Sequence, residues 1–144
     1  MSGVLEIMYT TIRVVAMFIG LCLIASCYRF TYSLNQDRAE ASMRAIRSAE
    51  ATFLATNHRY GSLGDLGSAK LIDEELARGT NYGYRFKVVV ENTSYRATAV
   101  PVKYGWNEGG TGSWSFYLDE SGVIRGNVKE GAEAHTQDPP LRHQ

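Results

Sequence analysis

Cysteine is scarce in this chain and sits where it cannot staple a domain. The only two, Cys22 and Cys27, fall inside the most apolar stretch. Five positions apart on a helix they point to different faces, so pairing them is geometrically poor. The rest of the chain has no cysteine and must stand on its apolar core. An excess of charge is also missing: 15 basic and 15 acidic residues give a formal net charge of zero, and no two basic residues are adjacent. That excludes the basic stripe of a nucleic-acid binder. His58, His135 and His143 show no ligand spacing, and no cysteine is near them, so no metal site is expected. A lysine-bearing glycine-rich phosphate loop, a nucleophile elbow and a convincing acid pair are all lacking. The chain therefore reads as a non-enzyme without catalytic residues or a cofactor. The acidic run Asp73, Glu74, Glu75 reads as a solvated turn, and there are no internal repeats.

Long hydrophobic runs are limited to one. Residues 14–28, VVAMFIGLCLIASCY, carry no charge. As helix they cover about 22 Å, short of the ~30 Å hydrocarbon core. Apolar neighbours extend the run on both sides, and Arg13 and Arg29 can snorkel toward the two interfaces. A membrane anchor is expected from this, with Tyr9 and Tyr28 at the interfaces. Two other readings stay open: a removed secretory signal, and a lipoprotein, because Ile24-Ala25-Ser26-Cys27 resembles a lipobox in which Cys27 is acylated.

Proline and glycine are absent from the end of that run until Gly61. Ala39, Met43, Ile46, Ala49, Phe53 and Thr56 recur at three- and four-residue spacing, one amphipathic stripe, with Arg38, Arg44, Arg47 and Glu50 mainly off it. The spacing predicts one continuous helix over residues 4–57, roughly 80 Å long. Short helical turns follow near residues 66–71 and 72–77. The remainder reads as antiparallel sheet. Residues 82–90 alternate Tyr82, Tyr84, Phe86, Val88 and Val90 on one face, with a turn at 91–94 and a partner strand over 95–102. A glycine-rich loop with Tyr104 and Trp106 leads to a strand over 113–118 and a closing strand over 123–126. The expected class is α+β: a long N-terminal helix, its first half transmembrane, packed on a small antiparallel four-stranded sheet. The expected units are an apolar anchor over 1–32, a helix-plus-sheet domain over 33–127 and a polar, mobile tail over 128–144.

This organisation resembles the type IV pilins and the pseudopilins of type II secretion. The resemblance is carried by Ala39 to Phe53, which looks like the second half of a pilin helix. Residues 59–63 and 69–73 look like the helix-to-sheet connection, 115–125 like the closing hairpin, and 138–141 like the terminal segment. It implies a structural subunit that assembles with other pilin or pseudopilin subunits through its N-terminal helix into a pilus or pseudopilus. It also implies a single span in the inner membrane, in contact with lipid, and a globular domain in the periplasm or outside the cell. The front departs from the family pattern. The scissile glycine falls at Gly3, with Val4 first after processing, and the fifth position is then Met8 where pilins carry glutamate. Glu6 is the nearest acid. Glu6 and Arg13 lie two turns apart on one helix, about 10 Å, too far to pair within it. Arg13 is therefore expected either to meet Glu6 of an axially shifted neighbour or to mark the membrane edge. The alternative function is a membrane-anchored, pilin-like binding module contacting its partner through Tyr104 and Trp106, since aromatics on glycine-rich loops often contact partners.

Overall fold

The computed structural model describes residues 2–105 and 109–141, and within the first helix the side chains of residues 8, 12–17 and 32–57. Helix α1 runs Ser2–Asn57. Its second half forms because apolar side chains return every three or four residues. Ala39, Met43, Ile46, Ala49 and Phe53 are all buried in the core. The helix ends without a glycine: His58 takes a left-handed φ of 55°, and its N–H still bonds Leu54 O at 2.9 Å, a C-terminal cap of the left-handed kind.

Two short helices follow. In α2, Leu63–Ser68, the Ser62 side chain accepts from the Asp65 N–H and the Asp65 carboxylate accepts from the Ser62 N–H, a reciprocal capping box. In α3, Glu74–Ala77, Asp73 caps the Leu76 N–H at 2.8 Å. The acidic run at 73–75 is thus a helix start, where carboxylates meet the positive end of the helix dipole.

The sheet is an antiparallel meander in the order β1-β2-β3-β4-β5. Its strands are β1 Thr80–Asn81, β2 Tyr84–Glu91, β3 Ser94–Pro101, β4 Trp114–Asp119 and β5 Arg125–Val128. Tyr84, Phe86, Tyr95, Ala97, Ala99, Phe116 and Leu118 meet the α1 stripe in one core. Gln36 fixes where α1 leaves the sheet. Its Oε1 accepts from Ser113 N–H and Oγ, both 3.1 Å, and from Trp114 N–H at 3.4 Å. One turn earlier the Tyr32 hydroxyl bonds Ser113 Oγ.

Two parts of the expected class are corrected. The sheet has five strands and not four. Tyr82 and Gly83 both adopt positive φ, 48° and 74°, which makes a tight two-residue hairpin turn. Residues 80 and 81 therefore fold back on 85 and 84, and Tyr82 lies in the turn and not on the strand face. The second correction concerns the transmembrane first half. Among the described residues no helix is long and apolar enough to cross a membrane, so a single-span anchor is not supported. The uncharged run is bracketed by Arg13 and Arg29, and its length of about 22 Å stays below the ~30 Å a span needs.

The C-terminal stretch, expected as a mobile tail, packs back on the sheet. Gly126 N–H donates to Pro139 O at 3.1 Å, Leu141 N–H to Ile124 O at 3.0 Å, and Arg125 bridges to Pro140. Before that, Ser115 Oγ donates to Ala132 O at 2.7 Å. The buried Asp138 carboxylate accepts from His135 N–H at 2.8 Å and from Lys129 Nζ at 3.2 Å. Two apolar side chains hold the segment, Ala134 in the buried set and Leu141 against the core. Polar composition hid them from the sequence reading.

Candidate functional site

Five of the exposed large apolar side chains among the described residues cluster on α1, on the N-terminal side of Tyr32. Every side chain described there is exposed. Met8, Ile12, Val14, Val15 and Met17 are between 47% and 71% accessible. On a helix of 3.6 residues per turn, Met8, Ile12 and Val15 stack on one face, while Val14 and Met17 lie toward the opposite side. Arg13 falls opposite the Met8–Ile12–Val15 row. This segment is apolar around most of its circumference, with one cation at its back. Clustered exposed apolar side chains of this kind mark an association surface. Solvent alone would leave them unfavourably hydrated.

Of the residues singled out from the sequence, Met8 and Arg13 belong to this surface. Gly3, Val4, Glu6 and Cys27 lie within α1, but their side chains are outside the described residues. Trp106 is outside the described residues altogether. Tyr104 is 42% exposed and pairs as a bridge with Gly112, with Gly105 N–H bonding Gly112 O at 3.1 Å. The loop thus presents Tyr104 near the β1–β2 turn, which the same segment reaches through Val102, whose N–H bonds Gly83 O at 2.9 Å. Among the described residues no group of three or more His, Cys, Asp or Glu is placed to hold a metal ion.

Sequence reasoning missed Glu50. It was set mainly off the helix stripe, yet it is only 1% exposed. Position 50 is four residues after Ile46 and three before Phe53, so it lies within the same stripe. Its Oε2 accepts from Gly61 N–H at 3.0 Å, and its Oε1 has no partner among the described residues. Burial pushes its pKa above the usual glutamate range; the Gly61 hydrogen bond opposes this and the nearby Asp65 charge adds to it. Tyr95 is pushed up as well, first by burial and then by Glu50. The hydroxyl of Tyr84 is a second buried polar group without a partner among the described residues. It faces Gly112, where any Cβ would overlap the Tyr84 ring end. No sequence signal other than the glycine at 112 could have pointed to that contact.

No family model matches the chain, and neither a curated protein nor a solved structure matches it.

Proposed function

We propose that this chain is a structural subunit, similar in kind to type IV pilins and pseudopilins, that assembles with other subunits through the N-terminal part of α1. The observation that carries the reading is the exposed apolar segment Met8 to Met17 on a helix whose second half is committed to the sheet core. Burying the exposed portions of these side chains against neighbouring helices stabilises an assembly by ~1 kcal/mol per side chain, a part of the value for full burial. The gain repeats at every subunit contact. The sheet domain, joined to α1 through Gln36 and Ser113, stays on the outside of such an assembly. The reading puts that domain beyond the cytoplasmic membrane, in a filament.

The test uses the full chain. Sedimentation velocity in mild detergent and negative-stain microscopy should show oligomers or filaments at tens of micromolar. The pair Val15→Asp and Met17→Asp should give monomers with an unchanged circular dichroism spectrum. A wild-type chain that stays monomeric over that range, or a double variant that assembles equally well, overturns the reading.

A further inference from the structure

The sheet has two unlike edges. The β5 edge is closed by residues 139–141. On the other side β1 pairs only with Tyr84 and Arg85, and Gly79 O accepts the Phe86 N–H at 2.8 Å. Beyond Phe86, no strand of the described residues pairs with the outer edge of β2. The β2–β3 hairpin closes on Glu91 opposite Ser94, so Lys87, Val89 and Glu91 turn their backbone groups toward β3. Val88 and Val90, in phase with Phe86, turn theirs outward.

This edge borders a cleft of about 420 Å³ whose lining includes Arg78, Thr80, Arg85, Lys87, Thr98 and Glu133. Arg85 and Lys87 alternate with the core residues Tyr84 and Phe86, so the cleft lies on the sheet face away from α1. Arg78 is paired with Glu74. Arg85 and Lys87 form no ion pair or side-chain hydrogen bond among the described residues. In a chain of zero net charge, Arg85 and Lys87 against the single carboxylate of Glu133 leave a local positive surplus.

We propose that this edge and cleft receive an extended acidic peptide segment of a partner protein, added as a short strand beside residues 87–91 with its carboxylates on the cleft side. A residue placed opposite Lys87 shares its face, at a Cβ separation of about 5 Å, and the diagonal neighbour along the same face is Arg85. An acidic side chain there meets both unpaired cations. The outward N–H and C=O groups of Val88 and Val90 supply the backbone bonds that strand addition needs. That second feature favours a peptide over a polyanion, which would use the charges and leave the edge unsatisfied. The proposal does not rest on the filament reading.

The test titrates the full chain with a fluorescent six-residue peptide in which glutamate alternates with valine, followed by anisotropy at low salt. Binding is expected, weakened at least tenfold by Arg85→Glu with Lys87→Glu and unchanged by Lys70→Glu, an exposed cation elsewhere. The same peptide N-methylated at alternate residues should bind at least tenfold more weakly, and this arm leaves the protein intact. Absence of binding at millimolar peptide overturns the proposal. So does equal binding of the N-methylated peptide, or binding indifferent to the charge reversals. A sulfated oligosaccharide or an oligonucleotide that binds more tightly than the peptide also overturns it and makes the cleft a polyanion site.

Discussion

Glu50 offers the sharpest test of how this domain is held together. One of its oxygens is satisfied by Gly61 N–H at 3.0 Å and the other faces no donor among the described residues, at a position 1% exposed. A buried carboxylate in that state favours its neutral form, which is why burial raises its pKa. The sign follows from linkage. Below the ordinary glutamate value near 4.5 the side chain is protonated in both states and costs nothing. As pH rises toward and through the raised folded value, the unfolded chain releases the proton first and the folded state loses stability. Glu50→Gln keeps a carbonyl for Gly61 and removes the titration. Relative to wild type, the glutamine variant should therefore gain stability as pH rises above 4.5, by ~1.4 kcal/mol for each unit by which the folded value is raised. Glu50→Ala should do the opposite of help: it strands the Gly61 N–H and empties space beside Phe53, for a loss of about 2 kcal/mol, or roughly 8 °C in melting temperature. Urea unfolding of the three proteins at four pH values reads all of this. Wild-type and glutamine curves that run parallel across the range, or a wild type that gains on the variant as pH rises, would refute the reasoning.

Other expectations follow from the same contacts. Gly112→Ala should destabilise the domain by about 2–3 kcal/mol by thermal melting, because its methyl group collides with the Tyr84 ring end. Tyr84→Phe should stabilise the domain by about 1 kcal/mol, since the hydroxyl it removes is buried without a partner among the described residues. For Asp138, burial works against the charge, but the bonds from His135 N–H and Lys129 outweigh it and hold the carboxyl below its ordinary range. Its stabilisation is complete above the ordinary value near 3.8 and is lost as pH falls through the lowered one. Asp138→Asn should thus cost about 1–2 kcal/mol at pH 7, with the gap to wild type closing as pH falls below 3.8. In assembly, Glu6→Arg and Arg13→Glu should each reduce oligomer formation and the double reversal should restore it, if the two charges meet between neighbouring copies; sedimentation of the four proteins decides.

Much of the core was legible because it depends on period alone. The stripe Ala39, Met43, Ile46, Ala49 and Phe53 and the alternation of Phe116 with Leu118 are written in spacing, and both sets are buried. Strand β1 was not legible, because two residues carry no period and the turn that returns them is built by a tyrosine at positive φ. The packing of residues 129–141 was hidden for a different reason. Beside Ala134 and Leu141, its anchors are backbone hydrogen bonds and one carboxylate, and hydrogen-bond partners distant in sequence leave no local pattern. Glu50 escaped the reading although its helix position, between those of Ala39 and Met43 around the axis, lies within the stripe. The exposed face of α1 was legible as apolar. The anchor expected from it is not supported: among the described residues no helix is long and apolar enough to cross a membrane.

The closed edge of the sheet limits how copies of this protein can misassemble. Residues 139–141 occupy the outer side of β5, and two of the three are prolines, which have no N–H to offer a further strand. Among the described residues, the side beyond β2 is the one left to accept a strand. Edge pairing therefore ends after a single addition: two copies meeting through their open sides leave no free side between them, and a continuous ribbon has nowhere to grow. A protein kept at high local concentration can tolerate one sticky side on those terms, because sheet-driven aggregation terminates at a pair.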